Sequence, residues 1–298
     1  MFGLVKRMGQ RTAVSLLALL LARATFLAAQ QAPPPDVKKF VRDMVDNELH
    51  NSHRDETRWM YRLRRQEGDT ATLKEVVETK SCDVNFLLLL NGKPLTPDQR
   101  QKENERLERL VNDPEEQHKV EHAQQEDDRK AVEMFTMLPE AFLYRFIGNR
   151  GSLIELAFSP NPDFHAPSRE AQVFHGMEGT MWIDARKKRL VELDGHLARD
   201  VEFLGGLFGR LEKGGHFAVR RAELAPEQWV ITQLVVEIKG KALIFRSINL
   251  RQIEAMTDFH RIPPDLNPAQ AVDMLKRPAL AEAESELADS AGGTRAIR

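Results

Sequence analysis

The sequence predicts an α+β protein built on one antiparallel sheet or open barrel. Three observations predict it. From Ser152 to Phe259, short runs rich in β-branched and aromatic residues are separated by turn residues, as in successive hairpins. Residues 36–53 carry Phe40, Val41, Met44, Val45 and Leu49 at helical spacing. Residues 98–133 hold 19 charged side chains in 36 and only a thin apolar stripe, Leu107, Leu110 and Val111, which reads as a solvated helical hairpin broken near Asp113-Pro114.

Composition sets the outer bounds. The 298 residues are 42% hydrophobic, enough for a core, and the net charge is −2. A basic nucleic-acid binder is excluded by that balance. Cys82 is the single cysteine, so a disulfide scaffold and a cysteine-built zinc site are excluded too.

The elements follow in order. Lys6, Arg7 and Arg11 precede the apolar run 13–22 and the small residues Ala28 and Ala29, the order of a secretory signal peptide over 1–30. That run is shorter than the roughly 20 residues a membrane span needs. Residues 1–30 hold four basic residues and no acid, so the remaining chain stands at −6. Export to the periplasm is the expectation, and no cysteine follows the apolar run to carry a lipid anchor.

Residues 31–35 form a proline linker, 36–267 a single domain with a helical insertion at 98–147, and 268–298 a tail with a short helix at 268–276. Asp36 caps the first helix. Trp59, Tyr61 and Leu63 alternate with polar residues as a strand, Gly68-Asp69 turns it, and 73–78 returns. Residues 84–90 are the next strand, which ends on the turn Asn91-Gly92. Ten of the fourteen residues in 134–147 are apolar, and Pro139 divides them into two short helices. Strands follow at 153–158, 179–184, 189–194, 216–224, 228–239 and 242–253, the last two joined by Gly240-Lys241. In 229–238, Val230, Thr232, Leu234, Val236 and Ile238 fall on one face and Trp229, Ile231 and Val235 on the other, so a central strand covered on both sides is expected. Cys82 reads as a small strand residue rather than a nucleophile.

Catalytic patterns are sparse. His118-Lys119-Val120-Glu121-His122 matches H-x-x-E-H, two histidines one helical turn apart with a glutamate between them. It lies in the most charged segment, where a solvated face is the plainer reading, and a zinc hydrolase is kept only as an alternative. The glycine-rich 205–215 stretch lacks the G-x-x-x-x-G-K-[ST] phosphate loop and reads as a bend between strands. No cofactor or metal is expected.

The stretches Phe174-His175-Gly176-Met177-Glu178-Gly179-Thr180-Met181-Trp182-Ile183-Asp184, Leu207 to Phe217, Trp229-Val230-Ile231-Thr232, Phe245-Arg246-Ser247-Ile248 and Thr257 to Pro263 resemble exported bacterial proteins of the outer-membrane lipoprotein-sorting (LolA/LolB-like) superfamily. The resemblance implies a curved antiparallel half-barrel whose helices cover an apolar concave face. It also implies non-covalent holding of lipid or lipoprotein acyl chains, with transient membrane contact. From the residues themselves, Phe135, Leu138, Phe142, Trp182 and Trp229 are the expected ligand-lining side chains. An envelope protein partner bound through a sheet edge is the other reading, and no nucleic-acid partner is expected.

Overall fold

The computed structural model describes residues 33–203, 209–242 and 246–276. The expected signal segment 1–30 and the tail beyond 276 lie outside the described residues.

Helix α1 runs Val37–Arg54. The Asp36 carboxylate accepts the Lys39 N–H at 2.8 Å and so satisfies a donor that the first turn leaves free. Strands β1 (Arg58–Glu67) and β2 (Thr70–Val77) turn on Gly68 at φ 55°. Strands β3 (Val84–Leu90) and β4 (Lys93–Pro94) turn on Asn91 and Gly92 at φ 52° and 75°, the paired positive angles of a type I′ turn. Helices α2 (Pro97–Asn112) and α3 (Pro114–Ala141) form the charged hairpin, and Asp113 both ends the first and caps the second.

The second half is a meander of β5 (Phe142–Arg150), β6 (Leu153–Pro160), β7 (Met177–Asp184) and β8 (Arg189–Leu197), with a 3-10 turn at Glu170–His175. The short pair β9 (Val201–Phe203) and β10 (Gly209–Leu211) comes next. Long strands β11 (His216–Ala225), β12 (Gln228–Ala242) and β13 (Arg246–Ile262) follow, then helix α4 at 268–276.

The strands make one open 13-stranded antiparallel sheet in the order β4-β3-β2-β1-β13-β12-β11-β8-β7-β6-β5, with β10 attached to β12. The α+β class and antiparallel sheet expected from the sequence are therefore present. Strand β13 closes the topology by pairing with β1. Register shifts interrupt five of these pairings and bend the strands there.

Cross-strand register places Leu156, Met181, Leu193, Val219, Leu234 and Glu254 on one face. Over β5–β8 that face is covered by Val41, Met44 and Val45 of α1 and by Leu138 and Ala141 of α3, which pack with Leu156, Met181 and Ile183 in the first core. At the other end of the sheet the opposite face carries the second core: Val77, Val84 and Phe86 with Leu107 and Leu110 of α2 and Val272 and Leu275 of α4. Helix α3 joins the two. Val120 packs on the second core, and Met134, Phe135 and Met137 on the first. Residues 127–133 between them are exposed all round, tied by Arg129 to Glu126 and Glu133. A helix polar on every side is stable when it bridges two packed regions in this way.

Four expectations are corrected. Pro139 does not divide two helices. It sits in the last turn of α3, where one lost backbone bond costs little, and 142–150 is strand β5. Phe142 faces the core while Leu143 is 53% exposed, an alternation masked by the apolar run before it. Gly240-Lys241 lies inside β12 rather than at a turn, since β10 crosses there and leaves no room for a side chain. The connection at 243–245 is outside the described residues. Thr232 is an extra residue in β12, so Trp229 and Ile231 share a face with Leu234 and Val236. Cys82 is buried in the loop before β3, where its N–H donates to the Thr79 hydroxyl and its carbonyl accepts from it.

Candidate functional site

Strands β8 and β11 pair from His196 and His216 as far as Glu192 and Arg220, and no farther. Glu48 enters where they part. It occupies the apolar stripe of α1 one turn after Met44 and Val45, and its side chain is 7% exposed. Its carboxylate accepts the Leu190 N–H at 2.8 Å, pairs with Arg189 at 3.1 Å and pairs with Arg221. The Arg189 and Arg221 side chains are 4% and 16% exposed. One carboxylate thus serves two guanidiniums inside the fold.

Trp229 lies against this triad, with its ring centroid 5.8 Å from Arg189 Cζ and 6.0 Å from Lys187 Nζ. Arg189 Nε and Nη1, Trp229 Nε1 and Gln228 Oε1 are buried and have no hydrogen-bond partner. The turn beside them is stitched to α1. Asn47 donates to the Lys187 and Lys188 carbonyls at 2.9 and 3.1 Å, and Lys188 pairs with Asp43 at 2.8 Å. The Lys188 and Lys39 ammonium groups hold the Asp43 carboxyl down at about 2. Lys187 pairs with Glu223.

From the triad an apolar row runs along the same face: Ile231, Leu234, Val236 and Ile238 of β12, with Val219 and Phe217 of β11 opposite Leu234 and Val236. Helix α1 packs on β5 and β8. Among the described residues neither core includes a residue of β12, although Phe217 of β11 packs on the first core and Ile262 of β13 belongs to the second. Ile231 is accordingly 44% exposed, and Leu234 and Val236 are half-buried. Beyond the row the face turns polar, where Glu254, 5% exposed, pairs with Arg65 at 2.6 Å.

Two clefts lie elsewhere. One of about 600 Å³ is lined by Phe164, His175, Arg199 and Asp200. The other, about 370 Å³ and polar, lies between loop 78–83 and α3 and contains Glu78, Asp83 and Asp128. Burial pushes the Glu78 carboxyl up to about 7, helped by Asp83 and opposed by the Trp59 N–H it accepts.

The structure brings three of the five expected lining residues together. Leu138 and Phe142 are buried in the first core with Phe135 packed on it, and the Phe142 ring centroid lies 4.8 Å from that of Phe158. Trp182 is on the opposite face, under Arg150 at 5.2 Å, because its neighbour Met181 takes the inward position. Trp229 stands at the triad. His118 and His122 stack on an exposed face of α3 with centroids 6.2 Å apart. No group of three His, Cys, Asp or Glu able to hold a metal ion occurs among the described residues.

Sequence reasoning missed Glu48, Arg189 and Arg221. The available signal was a glutamate on the apolar stripe of α1, which a buried helix face tolerates only when the charge is paired. No described helix is long and apolar enough to cross a membrane. No protein-family model matches the chain, and no curated protein matches it.

Proposed function

We propose that the chain is an exported, periplasmic, non-enzymatic binder of an apolar ligand, held on the sheet face where β11 and β12 emerge from beneath α1. The observation that carries this reading is the row Ile231, Leu234, Val236, Val219 and Phe217, left half-open where it runs on from the first core along the same face. Apolar area in that position is worth about 25 cal/mol per Å² when a ligand covers it, or about 0.8 kcal/mol for each CH₂ of an acyl chain. Binding of that kind needs no catalytic group. The resemblance to lipoprotein-sorting proteins, the basic-apolar-small N-terminus and the open antiparallel sheet all support the same reading. The ligand class it points to is the acyl chain of a lipid or lipoprotein.

The test is direct. The protein is purified from native envelopes, extracted with organic solvent and the extract analysed by mass spectrometry. Co-purifying lipid in wild type that is lost from Leu234→Asp is the expected result. A lipid-free protein that also fails to take up a fluorescent fatty acid would overturn the proposal.

One observation favours a second reading, an envelope protein-interaction module. Strand β5 ends the sheet with one edge unpaired, and Leu143 and Ile147 beside it are 53% and 43% exposed. Such an edge accepts an added strand. Loss of a co-purifying protein on Ile147→Lys, with lipid content unchanged, is the result that would favour it.

A further inference from the structure

We infer that the Glu48–Arg189–Arg221 cluster, with the Trp229 indole, is a receptor for the anionic headgroup of an amphiphile whose chain lies on the apolar row of β12. The inference rests on the apolar-ligand reading above and specifies which ligands that site takes.

Charge is the first argument. Two guanidiniums share the single Glu48 carboxylate, so the cluster carries an excess positive charge in a nearly dry setting. The cations next to it do not change this, because Lys187 and Lys188 already have Glu223 and Asp43. A buried charge without a counter-charge is among the costlier features a fold can carry, and it is relieved by an anion.

Unspent hydrogen bonds are the second. Arg189 is 96% buried by its 4% exposure, yet Nε and Nη1 donate to nothing, and neither does Trp229 Nε1. A buried unpaired donor is destabilising, and more so where it is charged. Arg189 Nη2 holds Glu48, and Nε and Nη1 flank it on different edges of the guanidinium, so each has a separate hydrogen bond to give to an oxygen of a carboxylate or a phosphate.

Position is the third. Arg221 and Trp229 share their face with Ile231, Leu234, Val236 and Ile238. A headgroup held at the triad therefore sends its chain along β12, where the row from Ile231 to Ile238 extends roughly 23 Å at about 3.3 Å per residue. Acyl chains already amidated or esterified in a lipoprotein carry no anionic end. The geometry points instead to a free amphiphile with one anionic head, either a fatty acid or a lysophosphatidate.

The experiment titrates the full exported protein with a dansyl-labelled fatty acid and with its methyl ester, then competes the bound acid with oleate, lysophosphatidate and zwitterionic lysophosphatidylcholine. Wild type is expected to prefer acid over ester by about tenfold or more, the worth of one hydrogen bond to a charged group. Oleate and lysophosphatidate displace the probe better than lysophosphatidylcholine, and the stronger of the two identifies the source of the headgroup. Arg189→Gln lowers acid affinity to the level of the ester and leaves the ester unchanged. Should Arg189→Gln fail to fold, Trp229→Phe decides, since it deletes one donor and keeps the ring: acid affinity falls and ester affinity holds. Equal affinity for acid and ester in wild type, or an equal loss of both in Trp229→Phe, overturns the headgroup receptor and leaves the apolar-ligand reading standing. Binding of neither probe overturns both.

Discussion

Glu103 of α2 and Leu87 of β3 are joined across the margin of the sheet: the Leu87 N–H donates to Glu103 Oε1 at 2.9 Å. Arg106, one turn on, donates to the Asn85 carbonyl, and the Asp83 N–H donates to Gln124 of α3 at 2.9 Å. Glu103 and Arg106 thus occupy backbone groups that β3 would otherwise offer to another strand, and Gln124 holds the residue just before it. Strand β5, at the other end of the sheet, has no strand paired to its outer edge among the described residues.

Glu103→Ala is expected to destabilise by about 1–2 kcal/mol, chiefly by leaving the Leu87 N–H unpaired. Burial alone would push the Glu103 carboxyl up, but the Arg106 guanidinium and the Leu87 N–H outweigh it and hold the pKa below the ordinary 4.5. A depressed folded pKa contributes stability above the unfolded value that is lost as pH falls through the folded one. Urea melts should therefore show the wild-type advantage over Glu103→Ala at pH 7 shrinking on acidification below 4.5. Hydrogen exchange at Leu87 should rise in the variant, and an unchanged exchange rate would contradict the edge-cover argument.

Glu78 gives the opposite slope. Its folded pKa, raised by burial to about 7 from 4.5, favours the protonated form in the native state. Its contribution to stability is full below 4.5 and is lost as pH rises through 7. Glu78→Gln should remove up to about 1.4 kcal/mol of loss per pH unit across that window and melt higher than wild type at pH 8. Identical pH profiles for the two proteins would place Glu78 in water.

Ile231 and Leu156 separate binding from folding. Leu156 is fully buried, and Leu156→Ala should cost about 2–5 kcal/mol by transfer and cavity terms. Ile231 is 44% exposed, so Ile231→Ser should stay within about 0.5 kcal/mol of wild type while weakening fatty-acid binding. A large stability loss at Ile231 with binding intact would assign the row to the core.

Much of the fold was legible because alternation and turn chemistry agreed locally. Trp59 and Leu63 alternate with arginines, Asn91-Gly92 demands positive φ, and Asp36 precedes an apolar stripe. Strand β5 was not legible, since the end of α3 and the start of β5 share one mostly apolar stretch and only tertiary packing decides where 3.6-residue spacing gives way to alternation. The facing of Trp229 was hidden by the single extra residue Thr232, which no local pattern announces. The triad was hidden by distance, with Glu48 and Arg221 brought together only after the whole sheet between them has formed. Of the expected lining residues, Trp229 lies against Arg189 of the triad, and its partners Arg189 and Arg221 carried no local signal in the sequence.

Gly240 and Gly148 make the last prediction, and they differ in what stands over them. A Cβ on Gly240 would meet the Arg210 carbonyl oxygen at 2.3 Å and Leu211 Cα at 3.1 Å, both backbone. Strand β10 cannot yield by a rotamer change, so Gly240→Ala must either pry β10 off β12 or shift β12 itself. A loss of about 1–3 kcal/mol is expected, as for other overpacked sites. Exchange should rise at Gly209, Arg210 and Leu211 while the β12–β13 ladder from Gln233 to Ile238 stays protected. Gly148, in the open edge strand β5, has no positive φ, and a methyl added there would meet nothing within 4 Å. Gly148→Ala should therefore be neutral, or stabilise by about 0.4–1 kcal/mol through the unfolded chain. If both substitutions proved equally harmless in urea melts, β10 would not be packed on β12 in solution.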